Sequence, residues 1–287
     1  MHTLRLLARL ILLALLAFAA PGAPASASPG ETPPAATATL RIGGTGTLQG
    51  LVRMLFVAFR LRHPDVTLDQ PRSLGSSGGI GAMLAGALDI AASSRALTQA
   101  ERQAGADAIL LGTTPFVFVT SHPTARASLT DADIVAIFTR QRTVWPDGMP
   151  IRLILRPEQD SDTAYLLDHF PGLGPGLDAV RRQQTIPIAL TDQDNLDQAE
   201  LRPGSFAGTS LVTVLSEHRR LTVLPLDGID PSLDAMEHGA YTLTRPVYFV
   251  RGHTMPPATG AFLAFVASPD GARVLRRAGV SPAAAPP

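Results

Sequence analysis

Three times along this 287-residue chain a short apolar segment runs into a Gly/Ser/Thr-rich loop that opens a helix. The loops are Gly43-Gly44-Thr45-Gly46-Thr47, Gly75-Ser76-Ser77-Gly78-Gly79 and Asp160-Ser161-Asp162-Thr163. Helix first turns leave N–H groups without intrahelical partners, at the positive end of the helix dipole. Glycine lets backbone come close, and Ser and Thr add hydroxyl donors. In open α/β sheets such loops gather at the carboxyl ends of strands. Three of them converging would suit a tetrahedral oxyanion. Taken singly, each is also an ordinary capped turn, since Ser, Thr and Asp are the usual N-cap residues.

The rest of the chain keeps the same alternation. Thr39 to Ile42 reads as a strand, and Leu48, Leu51, Val52, Leu55, Phe56 and Phe59 then recur at helical spacing up to Pro64. Val66 and Leu68 lie on a second strand, Ile80 to Leu88 reads as a small-residue helix, and Asp89 to Ala92 as a third strand leaving through Ser93-Ser94-Arg95. Thr98-Gln99-Ala100-Glu101 is a capping box. Ile109 to Leu111 and Phe116 to Thr120 read as separate strands about Pro115. A helix through Phe138, a strand at Ile151 to Leu155 and a helix from Thr163 to Phe170 follow. Residues 171–204 give no clear assignment. Leu221 to Leu226 and Pro246 to Val250 read as strands; helices are expected near Ser232 to His238, Ala258 to Val266 and Asp270 to Ala278. The pattern predicts an α/β protein with mainly parallel sheets.

Composition removes several chemistries. Cysteine is absent, which excludes disulfides, thiolate nucleophiles, iron–sulfur clusters and a lipid-modified cysteine anchor. Twenty-four basic residues, all Arg, balance 24 acidic ones, with no basic excess of the kind nucleic-acid binders show. The seven His form no H-x-x-x-H pair, and Asp192, Asp194 and Asp197 lack the glycine and glutamate of a calcium loop. No metal or organic cofactor is expected. Trp145, beside Pro146, reads as a packing residue.

Residues 1–27 read as a secretory signal peptide, with Arg5 and Arg9 ahead of an eleven-residue apolar run, Leu10 to Ala20, and Ala25-Ser26-Ala27 as the cleavage pattern. That run is shorter than the about 20 residues a membrane span needs. Residues 28–38 are Pro/Ala/Ser/Thr-rich and read as a flexible tether. The expectation is an exported protein in a periplasm.

One motif points elsewhere. Gly75-Ser76-Ser77-Gly78-Gly79 also fits G-x-S-x-G, with Ser77 as a hydrolase nucleophile and His218, His238 or His253 downstream. No acidic partner for those histidines and no HGGG-type loop accompany it.

Taken together, Gly44-Thr45-Gly46-Thr47-Leu48, Gly75 to Ile80, Asp89 to Arg95, Leu129 to Phe138 with Trp145, Pro203 to Gly208, Asp227 to Ser232 with Gly239-Ala240-Tyr241, and Arg245-Pro246-Val247-Tyr248 resemble the periplasmic phosphate-binding proteins of ABC transporters, within the type II periplasmic-binding fold. The resemblance runs from about residue 39 to 282, with a gap over 165–202. It implies two α/β lobes, 39–115 plus 245–282 and 116–244, joined by two crossing strands and closing on an anion. It further implies ligand contacts from Thr47 and Leu48 in the first loop, Ser76 in the second, and Ser161 and Thr163 in the second lobe. Thr47, Ser76, Ser94, Ser161 and Thr163 are therefore expected to line one cleft.

Three positions depart from the family pattern. Ser94, followed by Arg95, stands where the family has an Asp that takes the phosphate proton. Pro157 stands where its binding Arg usually sits, with Arg156 one residue earlier. Asp162 replaces a Gly. At least one of Arg95 and Arg156 is expected to supply countercharge. Asp162 is either a replacement proton acceptor, with Asp160 as the weaker candidate, or the cap of the helix starting at Thr163. The resulting expectation is a monomeric solute-binding protein that captures phosphate or a related oxyanion, delivers it to an ABC permease, and catalyses nothing. The alternatives are an exported serine hydrolase using Ser77, and a sensing or adhesion domain of the same fold.

Overall fold

The computed structural model describes residues 38–122 and 128–283. The expected signal peptide, and the expected tether up to residue 37, lie outside these residues. One mixed sheet of nine strands carries the fold, in the order β2-β1-β3-β8-β4-β6-β5, with β7 and β9 also on β4.

In the first half of the sheet, β1 (Ala38–Gly44) lies between β2 (Val66–Asp69) and β3 (Ile90–Ser93), all parallel. Helix α1 (Gln49–Arg60) buries Leu51, Val52, Leu55, Phe56 and Phe59 on Leu40 and Ile42, as its 3.6-residue stripe dictates. On the opposite face α2 (Gly75–Leu84) packs Ile80 and Met83 on Leu88, Ala91 and Val250. Short α3 (Gln99–Gln103) begins at the capping box of Thr98 and Glu101.

β4 (Asp107–Thr120) is one 14-residue strand rather than two. Residues 107–115 pair antiparallel with β8, and residues 116–119 pair with β6. Pro115, which has no N–H to give, falls where β4 changes partner, so the strand runs through it. The register slips between Leu110 and Gly112; a Cβ on Gly112 would lie 2.0 Å from the Ser281 carbonyl oxygen, so glycine is required there.

The second half follows. α4 (Asp131–Phe138) precedes β5 (Arg152–Leu153), which is parallel to β6. Then come α5 (Ser161–His169), α6 (Leu173–Arg182), α7 (Asp192–Leu201), β6 (Ser205–Ser210), α8 (Leu211–Ser216), β7 (Thr222–Leu224) and α9 (Leu233–Glu237). Its core is aromatic: Phe116, Phe118, Phe138, Phe170, Phe206 and Trp145 are all buried. The Trp145 indole donates to the Gly204 carbonyl at 3.1 Å, a packing role as expected. β8 (Thr244–Arg251) then returns between β3 and β4, and α10 (Pro257–Val266), α11 (Pro269–Arg277) and β9 (Ser281–Pro282) finish on the first half.

Parallel ladders β1–β2, β1–β3 and β5–β6 stand beside five antiparallel ones, all involving β4 or β8. The long connecting strands thus make the sheet mixed. The unassigned stretch 171–204 holds α6 and α7. Leu173, Leu177 and Val180 of α6 are buried at helical spacing, a stripe that Gly174, Pro175 and Gly176 in the first turns disguise.

Candidate functional site

The three Gly/Ser/Thr loops meet between the halves of the sheet. Gly44 ends β1 at φ +125°, and a Cβ there would sit 2.2 Å from the Ala92 carbonyl oxygen. A Cβ on Gly79 would sit 2.3 Å from the Gly44 Cα. These glycines let α2 lie directly on the end of β1, which brings Ser76 beside the first loop. The second Gly/Ser loop is itself the first turn of α2, which starts at Gly75 rather than Ile80.

Ser94 is the hub of the hydroxyl groups. Its N–H donates to the Ser76 hydroxyl at 3.2 Å. Its own hydroxyl lies 3.4 Å from Thr45 Oγ1, 3.4 Å from Ser76 Oγ and 3.2 Å from Ser161 Oγ. Thr45, Thr47, Ser76 and Ser94 are all buried. Thr45 caps a short 3-10 turn, Gly46–Leu48, and its side chain accepts from the Thr47 N–H.

Beside the hydroxyls lies a buried charge cluster. Arg156, on the exit loop of β5, donates from Nη2 to Asp160 at 2.7 Å and to Asp192 at 3.4 Å, and from Nη1 to the Ala189 carbonyl at 2.9 Å. Its Nε is buried without a hydrogen-bond partner, 3.9 Å from an Asp162 oxygen. Asp160 caps α5, accepting from the Asp162 N–H at 2.9 Å. Asp162 pairs instead with Arg245 of β8. The Arg245 Nε donates to the Ser94 carbonyl at 3.2 Å, and its guanidinium lies 5.3 Å from the Tyr165 ring centroid. Asp192, first residue of α7, accepts from the Thr47 hydroxyl at 2.8 Å. With Gln193, which donates to the Gly46 carbonyl at 3.0 Å, these contacts tie the two halves together.

Burial pushes the Asp160 carboxyl up to about 6, with Asp162 adding to it and Arg156 opposing. Asp192 is raised in the same sense, first by burial and then by Asp162. Burial alone would lower Arg156, but Asp192, Asp162 and Asp160 outweigh it and hold its charge more firmly.

The expected residues divide. Thr47, Ser76, Ser94, Ser161, Arg156 and Asp162 come together. Leu48 is a wholly buried core residue, and its N–H is directed at the Thr45 carbonyl at 3.4 Å. Thr163 donates to the Pro157 carbonyl at 2.8 Å, holding the loop rather than joining the hydroxyls around Ser94. Arg95 turns to Glu101 at 2.7 Å and to the Ser77 hydroxyl at 2.8 Å. Ser77 thus meets a guanidinium, which cannot serve as the base a nucleophile requires. The cap of α5 is Asp160, so Asp162 is not a cap; the helix begins at Ser161 rather than Thr163.

Thr45, Asp192 and Arg245 belong to the cluster but are not among the ligand residues expected from sequence. Arg245 had a signal: with Val247 and Phe249 it shares the buried face of one strand. In sequence Asp192 stands with Asp194 and Asp197 as an incomplete calcium loop, yet the three lie on α7, capped by Thr191, and Asp192 is buried. Among the described residues no group of acidic or histidine side chains suits a metal ion.

Residues 29–270 match the PBP superfamily domain, and the chain belongs to that family. No curated protein matches it. The fold is similar to that of a Clostridium perfringens chain assigned as a phosphate ABC transporter substrate-binding protein and solved with bound phosphate. That match has a TM-score of 0.73 at 18% identity, over 86% of this chain and 100% of the other. An ABC-type phosphate transport receptor from Vibrio cholerae matches with TM-score 0.56 and 18% identity, over 84% and 98%. The reduced OxyR regulatory domain from Pseudomonas aeruginosa matches with TM-score 0.53 and 14% identity, over 80% and 98%. Transport receptors and a regulatory domain share this fold, so function must be argued from the site.

Proposed function

We propose that this protein is a periplasmic receptor for phosphate or a related tetrahedral oxyanion, which it captures between two lobes and hands to an ABC permease. The observation that carries the reading is the cluster around Ser94. Hydroxyls from three separate loops, Thr45, Ser76 and Ser161, surround it, buried Arg245 donates to its carbonyl, and Asp162 stands between Arg245 and buried Arg156. A dehydrated oxyanion needs a donor for each oxygen. Neutral hydroxyls and N–H groups with fork-shaped guanidinium donors provide that combination.

The lobes in this reading are 39–115 plus 245–282 and 116–244. Support comes from β4, which changes partner from β8 to β6 between Pro115 and Phe116. Thr47, Ser76 and Ser94 face the ligand from the first lobe, and Ser161, Asp162 and Arg156 from the second. The protein acts as a monomer, with residues 1–27 as export signal, and needs no catalytic group. Ser77 hydrolysis is disfavoured by the Arg95 contact. Calorimetric titration with phosphate, sulfate, arsenate and molybdate tests the reading. Tight one-to-one binding of at least one is expected; heat from none of the four would sink it.

A further inference from the structure

Asp162 stands where the family it resembles has Gly, and its carboxylate lies buried between two guanidiniums. Arg245 Nη1 donates to one carboxylate oxygen. The other oxygen lies 3.9 Å from Arg156 Nε, a buried donor with no hydrogen-bond partner. The two oxygens thus bridge a cation on β8 and a cation on the exit loop of β5, as two oxygens of an oxyanion would.

The space beside the carboxylate is small. The cavity bounded by Arg156, Asp162, Thr163, Arg181 and Gly208 measures about 10 Å³, room for one water at most and too little for a tetrahedral anion. The charges leave no deficit either. Arg181 of α6 donates to the Arg156 carbonyl and the Thr163 hydroxyl on the same loop. With it, three guanidiniums, Arg156, Arg181 and Arg245, stand with three carboxylates, Asp160, Asp162 and Asp192. Arg95 is neutralised by Glu101. An anion added to this cluster brings buried negative charge without a counterion, which is costly. An anion exchanged for the Asp162 carboxylate keeps both guanidiniums paired.

Resting on the oxyanion reading above, we infer that Asp162 is a tethered competitor: its carboxylate holds the place of the bound anion, and the oxyanion enters by displacing it. Asp162 is the second residue of α5, so a change of rotamer carries the carboxylate away from Arg245 while the helix stays where it is. The exchange sets a threshold. Arg245 and Arg156 are given up only to an anion that holds them better than an intramolecular carboxylate does. Apparent affinity is reduced by the fraction of molecules in which Asp162 has moved aside.

The test is calorimetric titration of the parent, Asp162→Gly and Asp162→Asn with phosphate. Asp162→Gly removes the competitor and should bind phosphate about tenfold tighter or more. Asp162→Asn, neutral but of the same size, should fall between the two. A carboxylate that is structural, or that helps to hold the ligand, gives equal or weaker binding in Asp162→Gly. That result overturns the inference and leaves the oxyanion reading standing. Binding by Asp162→Gly with none by the parent upholds the inference and removes the receptor role of the parent. No binding of phosphate, sulfate, arsenate or molybdate by any of the three overturns both. Formate gives a second measurement, since it replaces the missing carboxylate. It should raise the Tm of Asp162→Gly at concentrations that leave the parent unchanged, and an equal response in both counts against the inference. Should neither variant fold, a crystal structure of the parent with phosphate decides: Asp162 turned away from Arg245 upholds the inference, and Asp162 still bound to it overturns it.

Discussion

At the scale of single residues, the cations are expected to separate cleanly. Arg156 and Arg245 are buried in the cluster, whereas Arg95 is committed to Glu101 at the surface of α3. Arg156→Ala should weaken oxyanion binding by about 2–5 kcal/mol. Arg95→Ala should leave binding within about threefold of the parent. Titration of both variants with phosphate checks this, and equal losses would contradict the geometry. A second expectation concerns acid stability. The folded Asp160 carboxyl titrates at about 6, above its unfolded value, so the folded chain holds more protons than the unfolded one in between. Its contribution therefore favours folding at low pH and is lost as pH rises from about 4 to about 6. Thermal melts of Asp160→Asn across that range should show less of this decline than the parent. The family resemblance pointed to Arg156, Ser94 and Asp162, as positions at or beside which the chain departs from the family pattern. For Arg245 the alternation of its strand signals burial, but nothing local says that its partner is a carboxylate 83 positions away.

At the scale of elements, the glycine-rich loops have two jobs that read alike in sequence. Part of the Gly/Ser pattern presents hydroxyls, and part permits close packing. Gly79 belongs to the second kind: it faces the Gly44 Cα, and no flexible side chain is there to yield. Gly79→Ala should cost about 1–3 kcal/mol of stability, because α2 must move off β1. It should also weaken phosphate binding through displacement of Ser76. Gly81→Ala is the control, since a Cβ at that position of the same helix meets nothing. Chemical denaturation of both variants separates the two; equal stability would refute the packing role. Periodicity found α1 without difficulty, because five buried apolar side chains repeat on one stripe. It missed α6, because Gly and Pro occupy its first turns. It split β4, because Pro115 looks like an end until the partner change is known.

At the scale of the whole molecule, β4 decides cooperativity. One unbroken strand pairs with β8 in the first half of the sheet and with β6 and β7 in the second. Neither half can unfold without stripping partners from the other. Trp145, the single tryptophan, is buried in the second half beside Phe206. Its fluorescence therefore reports that half, while far-ultraviolet circular dichroism reports both. The two melting curves should coincide. Separate midpoints would mean that β4 does not couple the halves. The order of short motifs was enough to suggest the family, although no one of them was distinctive.

The contact between Thr47 and Asp192 sets a direction. Because an ionised carboxylate only accepts, Thr47 must point its hydrogen at Asp192, and Thr45 must then donate to Thr47. Thr45 has then spent its one hydrogen, so its contact with Ser94 is a hydrogen bond only with Ser94 donating, and the contact between Ser94 and Ser161 continues the row only with Ser161 donating. Hydroxyl hydrogens swivel without displacing a heavy atom. A proton placed on Asp192 would let it donate to Thr47, and the whole row could flip from one polarity to the other. The Ser161 end of the row would then present a hydrogen where it had presented lone pairs. Thr47, Thr45, Ser94 and Ser161 thus form one row whose hydrogen-bonding sense is set at its Asp192 end, with the backbone at rest.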